Sequence, residues 1–289
     1  MRLARVEVDG RPRLGVVSGA DVLLLDRDRS GAAGDDVVGV AGDPSVLDAL
    51  WAIAHGEAVP DRRIPLEAVR ILAPVARPRK IVAIGLNYVD HAKEAEQSPP
   101  ASPLVFAKFP SAIAGPGEPI TFDRSVTTEV DFEAELAVVM GRRARNVDER
   151  IALDHVLGYT CCNDVSARDV QFSDGQWVRG KSLDTFCPLG PWVVTRDEIA
   201  DVQALAIRCV VSGEVMQDAS TADMFFSVAE LIARLSRSFT LEPGDVIATG
   251  TPPGVGYFRV PRRLLQAGDE VVVEIDGIGR LCNPVVEAS

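Results

Sequence analysis

The stretch TTEVDFEAELAVVMG, residues 127–141, places an acidic residue at every second position before an apolar run. In a β-strand, residues two apart lie on the same face. The four acids of this stretch would then stand in one column: Glu129, Asp131, Glu133 and Glu135. Like charges in such a column repel each other. The pattern therefore needs either a solvated face or a bound cation.

A divalent metal ion is one interpretation of this column. Asp164 ends a second predicted strand, GYTCCND. If the two strands are neighbours, it converges with Glu133 and Glu135. Three carboxylates suit Mg²⁺, Mn²⁺ or Ca²⁺ better than Zn²⁺, and no Cys/His cluster competes for a metal. The alternative is a solvated outer face, the usual use of charged strand faces, and spacing alone favours this alternative.

Composition and charge exclude several classes of protein. The 289 residues are 47% hydrophobic and 25% charged, which is typical of a globular protein. A formal charge of −12 argues against a nucleic-acid partner. The N-terminus has no apolar signal segment, and no apolar run is long enough to span a membrane. Five cysteines without a CxxC pair indicate reduced thiols, and we expect a cytoplasmic protein.

The order of predicted elements indicates a β-rich α+β fold. Residues 1 to about 70 contain short hairpins and a helix near residues 45–55. A proline-rich connector near Pro74 predicts a small N-terminal domain, 1–73, and a main domain, 74–289. Strands outnumber helices after residue 80. In the main domain, NVDERIALDHVLG predicts a helix with Asn146 as N-cap, Glu149 completing a capping box and Gly158 as the stop.

His91 and Glu94 lie three residues apart, so on a helix they share a face. A carboxylate that orients an imidazole leaves one ring nitrogen free to accept a proton from water. The alternative is an ordinary surface pair, which pattern alone favours. His55 and His155 have no such partner, and we interpret both as structural.

The segment GQWVRGKS, residues 175–182, matches the P-loop pattern, but no apolar strand precedes it and Pro188 and Pro191 prevent a long helix after it. We therefore reject a nucleotide site, and Lys181 needs another role. GDVIATGTPPGVG is a strand that enters a Gly/Pro-rich loop. Its amides and Thr251 can hold an anion, although a surface turn is the simpler interpretation.

Six ordered blocks between about Lys80 and Pro284 together resemble the fumarylacetoacetate hydrolase family. They are GLNYVDHAKE, FAKFPSAIAGPGEPI, VDFEAELAVVMG, GYTCCNDVSARDVQ, GKSLDTFCPLGP and GDVIATGTPPGVG. The resemblance implies a mixed β-sandwich roll, a homodimer and one divalent metal ion per site, with Mg²⁺ expected and Mn²⁺ or Ca²⁺ as alternatives. It also implies Glu133, Glu135 and Asp164 as metal ligands, and His91 with Glu94 as the dyad that activates water.

The resemblance further implies that Lys181 contacts a substrate carboxylate or enolate oxygen. Arg168, Gln171 and Thr251 would be substrate contacts, and the role of Lys108 stays open. Residues 81–89 lack the additional metal-binding aspartate of some larger members. We therefore expect three protein ligands and a relationship to the shorter members of the family, not to true fumarylacetoacetate hydrolases.

The expected reaction is hydrolysis of a C–C bond in a β-diketo acid such as an acylpyruvate or fumarylpyruvate. Two alternatives use the same site, namely isomerisation of 2-hydroxyhepta-2,4-diene-1,7-dioate and decarboxylation of an oxaloacetate-like acid. A third alternative is a non-catalytic scaffold that retains the fold. In each enzymatic case the partner is a small 2-oxo or diketo acid, without nucleic acid or membrane.

Overall fold

The computed structural model of the protein describes residues 1–25, 35–41, 43–98 and 100–288. Strands dominate it, as expected for a β-rich α+β fold. The strands are β1 (Arg2–Val8), β2 (Arg11–Ser18), β3 (Asp21–Leu24), β4 (Arg62–Pro65), β5 (Arg70–Leu72), β6 (Ile81–Gly85), β7 (Leu104–Lys108), β8 (Ile113–Ala114), β9 (Ile120–Phe122), β10 (Val130–Asp131), β11 (Ala134–Met140), β12 (Val156–Asn163), β13 (Ser166–Ala167), β14 (Cys187–Thr195), β15 (Ala206–Val211), β16 (Glu214–Ser220), β17 (Val246–Ala248), β18 (Glu270–Ile275) and β19 (Gly279–Glu287).

The helices of the described residues are short, and the longest span 11 residues. They are α1 (Val37–Ala41), α2 (Pro44–Ala54), α3 (Val89–Glu94), α4 (Arg168–Ser173), α5 (Val178–Lys181) and α6 (Val228–Ser238). Helix α2 agrees with the helix predicted near residues 45–55, and its N-cap Asp43 accepts a hydrogen bond from the Ser45 amide at 3.1 Å. No helix in the described ranges is long and apolar enough to cross a membrane.

One large sheet contains strands from both ends of the chain. Its order is β4-β3-β2-β1-β14-β12-β11-β17-β6-β7, and β5 and β8 pair with β1 and β14 beside this path. The N-terminal strands join the rest through β1, where Arg2 lies opposite Val194. The boundary predicted near Pro74 therefore falls between β5 and β6 of one continuous sheet.

The large sheet has an apolar layer on each face. Strand β11 alternates between them: Leu136 and Val138 face a core shared with the five-stranded sheet β16-β15-β18-β19-β9, whereas Ala137 and Val139 face a core shared with α1 and α2. Because both faces of β11 are covered, the run after the acidic residues is continuously apolar. Glu135, near the N-terminal end of β11, is the acidic residue of this strand and is part of neither apolar layer.

The predicted helix between Asn146 and Gly158 is wrong. A short 3₁₀ helix spans Glu149–His155, and its N-cap is Asp148, which accepts a hydrogen bond from the Arg150 amide at 3.0 Å. Asn146 has a positive φ of 56°, and Gly158 lies inside β12. A Cβ atom on Gly158 would lie 2.1 Å from the Val194 carbonyl oxygen. Close strand contact, not helix termination, accounts for this glycine.

We therefore expect Gly158→Ala to lower the free energy of unfolding by about 3 kcal/mol, because the methyl group forces β12 and β14 apart. Denaturant titration followed by circular dichroism measures the change. Ser18→Ala, at an exposed position of the same sheet, is the control and should change stability by less than about 0.5 kcal/mol. Equal stability of the two variants would contradict this account of Gly158.

Candidate active site

The acidic residues meet at the end of the β11–β12 pair. Ala134 lies opposite Asn163 in this antiparallel ladder, and the next residues outward are Glu133 and Asp164. The Asp164 amide donates to the Glu133 carbonyl at 2.9 Å, so the register continues one step beyond the ladder. This step brings one carboxylate from each strand to the same place.

Three of the buried carboxylates form a cluster. Candidate ligand oxygens of Glu133, Glu135 and Asp164 all lie within 4.8 Å of one another. Glu129 is outside it, with a side chain 28% exposed and an ion pair to Arg262 at 2.9 Å. The column predicted from the sequence is thus divided, since the chain leaves β10 at Asp131 and enters β11 only at Ala134.

Three buried cations surround the cluster. The Lys181 ammonium donates to Glu133 Oε2 at 2.7 Å and to Asp164 Oδ2 at 2.9 Å. Arg168 Nη2 lies 2.7 Å from Glu133 Oε1, and Lys108 Nζ donates to Asp164 Oδ1 at 2.5 Å. Each cation therefore offsets the charge of at least one carboxylate that would be costly to bury alone.

The cations act unequally on the two glutamates. Burial raises the pKa of Glu133, but the charges of Lys181 and Arg168 lower it by more, to about 2. Glu135 receives one hydrogen bond, from the Gly250 amide at 3.0 Å. Burial and the negative charges of Asp164 and Glu133 raise the pKa of Glu135 well above its ordinary range. Glu135 is thus the carboxylate of the cluster that most lacks a compensating cation.

Asp131 does not enter the cluster but holds the residues around it. Its Oδ2 accepts from Arg168 Nε at 2.9 Å and Nη2 at 2.7 Å. The amides of Gly256 and Tyr257 also donate to this carboxylate, at 2.8 and 3.1 Å. Asp131 therefore joins the Arg168 guanidinium to the Gly/Pro-rich loop after β17.

The predicted His91–Glu94 pair forms on α3. His91 Nδ1 lies 3.2 Å from Glu94 Oε2, and the Gly254 amide donates to both Glu94 oxygens, at 3.0 and 3.1 Å. We assign a proton to His91 Nδ1 because an ionised Glu94 can only accept. His91 Nε2 is then the nitrogen that can take a proton from a ligand.

Helices α4 and α5 supply Arg168, Gln171 and Lys181 to the site. Helix α5 has only four residues and follows no strand, so GQWVRGKS does not have the geometry of a P-loop. A Cβ on Gly180 would lie 2.6 Å from the Gln171 amide nitrogen. This glycine allows α5 to pack against α4 and places Lys181 beside the carboxylates.

The site opens into a cavity of about 350 Å³. Six of the nine predicted site residues line it: His91, Glu133, Arg168, Gln171, Lys181 and Thr251. Glu94, Glu135 and Asp164 are not part of this lining but contact residues that are. The lining also includes apolar side chains, among them Ile84, Leu104, Phe106 and Trp177. The cavity therefore combines charged and apolar side chains in its lining.

Two buried polar residues support the site without having been assigned a role from the sequence. Lys108, whose role was open, donates to Asp164, to the Val165 carbonyl at 3.3 Å and to the Lys181 carbonyl. Gln217 on β16 donates to Thr251 Oγ1 at 2.8 Å and accepts from the Ala134 amide at 2.9 Å. Lys108 is one of four lysines among the 30 basic residues of the chain, and this rarity was a signal in the sequence that it has a specific role. Gln217 carried no such signal beyond being a polar residue in a predicted strand.

The cluster fits a hard divalent cation. Its donors are carboxylate oxygens only, which suits Mg²⁺ or Mn²⁺, and its Lys181 contacts show that two of its members already bind a positive charge. Within the described ranges it is the one group of three or more acidic, histidine or cysteine side chains close enough to share a metal ion.

Comparison with known proteins places this site in a family. A family model described as "Fumarylacetoacetate (FAA) hydrolase C-terminal" matches residues 80–286, and one described as "Rv2993c-like, N-terminal" matches residues 1–74. The mitochondrial oxaloacetate tautomerase fahd2 of Xenopus laevis is 51% identical over 220 residues, which are 75% of this chain and 69% of that protein.

Two solved structures are similar over their whole length. Fumarylacetoacetate hydrolase from Exiguobacterium antarcticum is 38% identical, with a TM-score of 0.85 and full coverage of both chains. Maleylpyruvate hydrolase from Sphingobium sp. SYK-6, solved with manganese(II) and pyruvate, is 33% identical, with a TM-score of 0.82 and the same coverage. This chain belongs to the fumarylacetoacetate hydrolase family of enzymes.

Proposed function

We propose that this enzyme acts on small 2-oxo acids through an enolate, with a divalent cation held by Glu133, Glu135 and Asp164. The first reaction we propose is the keto–enol tautomerisation of oxaloacetate. The observation that carries the proposal is that one cavity joins the carboxylate cluster to the His91–Glu94 pair. The Xenopus relative, an oxaloacetate tautomerase, supports the choice of reaction.

The residues of the site divide the chemistry between them. When bound, the cation would polarise the 2-oxo group as a Lewis acid. His91 Nε2 takes a proton from the carbon beside that carbonyl; the C–H electron pair becomes the C=C bond and the carbonyl π pair moves to oxygen. Glu94 stabilises the imidazolium that results. Return of this proton to the enolate oxygen completes the tautomerisation.

The positive side chains stabilise the charge that develops on the substrate. Lys181 donates a hydrogen bond to the enolate oxygen, where negative charge is greatest. Arg168 is fixed by Asp131 and Gln171, so its guanidinium needs little reorganisation when an anion enters the cavity. Thr251 lines the same cavity, and its hydroxyl group donates to the Ala134 carbonyl at 3.0 Å and accepts from Gln217 Nε2 at 2.8 Å.

A second candidate reaction is hydrolysis of a C–C bond in a β-diketo acid. The apolar wall of Ile84, Leu104, Phe106 and Trp177 favours it, because an acyl chain beyond the 2-oxo end would lie against these side chains. His91 would then deprotonate a water that attacks the distal carbonyl, and the C–C pair would leave as the enolate of pyruvate. The maleylpyruvate hydrolase supports this candidate.

A substrate panel separates the candidates. We expect faster decay of the oxaloacetate enol absorbance with enzyme and Mg²⁺ or Mn²⁺ than with the metal ion alone. Acylpyruvates, a 2-hydroxy-dienoate and pyruvate release from oxaloacetate complete the panel. Turnover of acylpyruvates without an effect on the oxaloacetate enol would favour the hydrolase, and no turnover of any compound would contradict the proposed chemistry.

His91→Asn should lower kcat by about 100- to 10,000-fold, because the general base is lost, and should leave KM nearly unchanged. The measurement is the steady-state rate on the best substrate of the panel. His155→Asn is the matched control, since His155 lies on the 3₁₀ helix away from the cavity and binds the Arg143 carbonyl at 3.0 Å. Similar losses of kcat in both variants would show that His91 has no special role.

Glu135→Gln and Asp164→Asn should each weaken Mn²⁺ binding on the order of 100-fold, because each removes a ligand charge at nearly constant shape. Isothermal titration calorimetry measures the affinity. Glu129→Gln removes the first acid of the sequence column, which lies outside the cluster, and should bind Mn²⁺ like the unmodified protein. If all three variants bind Mn²⁺ equally, the metal ion binds elsewhere and the proposed site is wrong.

A further inference from the structure

Lys181 occupies the place between two of the proposed metal ligands. Its ammonium group donates to Glu133 Oε2 and Asp164 Oδ2 at the same time, at 2.7 and 2.9 Å. The Lys181 side chain is 2% exposed, and both carboxylates are buried. A positive charge therefore already lies where the carboxylate cluster would receive a cation.

Every carboxylate oxygen of Glu133 and Asp164 has a cationic donor. Glu133 Oε1 is 2.7 Å from Arg168, and Asp164 Oδ1 is 2.5 Å from Lys108. The remaining oxygen of each residue is bound to Lys181. A divalent cation that used the remaining lone pairs of these oxygens would lie close to Lys181 Nζ. An ammonium group and a divalent cation on neighbouring oxygens repel each other in a buried site, and this repulsion favours displacement of a donor.

Lys181 is the donor that contacts both carboxylates, so its displacement would free an oxygen on each of them. Arg168 is also held by two hydrogen bonds to Asp131 and one to Gln171, and Lys108 is also held by two backbone carbonyls. Among the residues that the structure describes, the Lys181 ammonium group donates hydrogen bonds to the two carboxylates alone. Moving this one group frees an oxygen on Glu133 and on Asp164 and leaves the other contacts intact.

We propose that Lys181 is an internal counter-ion of the metal-free site, and that a divalent cation displaces its ammonium group into the cavity. The proposal rests on the metal site proposed above. Phe106 gives the displaced group a resting place, since its ring centroid lies 5.3 Å from Lys181 Nζ and its side chain lines the cavity. Lys181 thus becomes available to an anionic substrate only after the cation has bound.

The four lysines of the chain allow a direct test by chemical labelling. A short pulse of acetic anhydride, followed by peptide mass spectrometry, measures the acetylation of each lysine in metal-free and Mn²⁺-loaded protein. We expect Lys181 to be protected without metal and labelled severalfold more with it. Lys108, fully buried, should stay protected in both states, and Lys93, with a side chain 71% exposed, should be labelled in both.

The affinity for metal gives an independent measurement. Lys181→Met removes the competing charge and should bind Mn²⁺ about tenfold or more tightly than the unmodified protein, as measured by calorimetry. Lys93→Met removes an exposed lysine that pairs with Asp90 and should leave the Mn²⁺ affinity unchanged. The proposal would be overturned if Lys181→Met binds Mn²⁺ no more tightly than the unmodified protein does and if Mn²⁺ leaves the labelling of Lys181 in the unmodified protein unchanged.

Failure of this inference is distinct from failure of the metal site. If Glu135→Gln abolishes Mn²⁺ binding but Lys181 labelling does not change, the metal site stands and the displacement of Lys181 is wrong. If Glu135→Gln and Asp164→Asn bind Mn²⁺ normally, the metal site itself is wrong. Neither labelling nor calorimetry depends on which substrate the enzyme uses.

Discussion

The burial of four carboxylates among three cations at the end of the β11–β12 ladder is the interaction on which the site depends. Asp131, Glu133, Glu135 and Asp164 are all buried, and so are Lys108, Arg168 and Lys181. Removing these groups from water is unfavourable unless each is paired at close range. The pairing ties α4 and α5 to the large sheet, since Arg168 and Lys181 lie on these helices and Lys108 lies on β7, the last strand of that sheet.

This arrangement also explains why charged and apolar side chains line the same cavity. The cations reach the carboxylates from β7, α4 and α5, and residues of all three elements line the cavity. Phe106 contacts both kinds of side chain. Its ring centroid lies 5.4 Å from that of Trp177, and the ring lies next to the Lys181 ammonium group. The proposed positions of the metal ion, of the anionic group and of the acyl part of a substrate therefore lie at neighbouring residues.

Much of the site could be predicted from the sequence, but mainly from the ordered blocks and less from spacing. Alternation grouped Glu133 with Glu135, yet it also included Glu129, which forms an ion pair with Arg262 outside the cluster. Spacing cannot show that a strand is interrupted between Asp131 and Ala134. Lys108 and Gln217 act through partners distant in sequence, and such contacts have no local signal.

The errors in the fold have the same origin. Asn146 and Gly158 carry the local signals of a helix start and stop, but tertiary contacts decide both positions: the Asn146 amide donates to the Ser236 carbonyl at 2.9 Å, and Gly158 lies against β14. The α+β class was predictable because it depends on the overall balance of strands and helices. Continuation of the N-terminal strands into the main sheet depends on the β1–β14 pairing, which no local pattern encodes.

The central claim is that one divalent cation and the Lys181 ammonium group alternate at the same carboxylates. An anomalous difference map from crystals grown with Mn²⁺ tests it most directly. The account predicts one strong peak bound by Glu133, Glu135 and Asp164, with Lys181 Nζ no longer bonded to either Glu133 or Asp164. A peak at other residues, or a peak at this cluster with both Lys181 bonds intact, would contradict it.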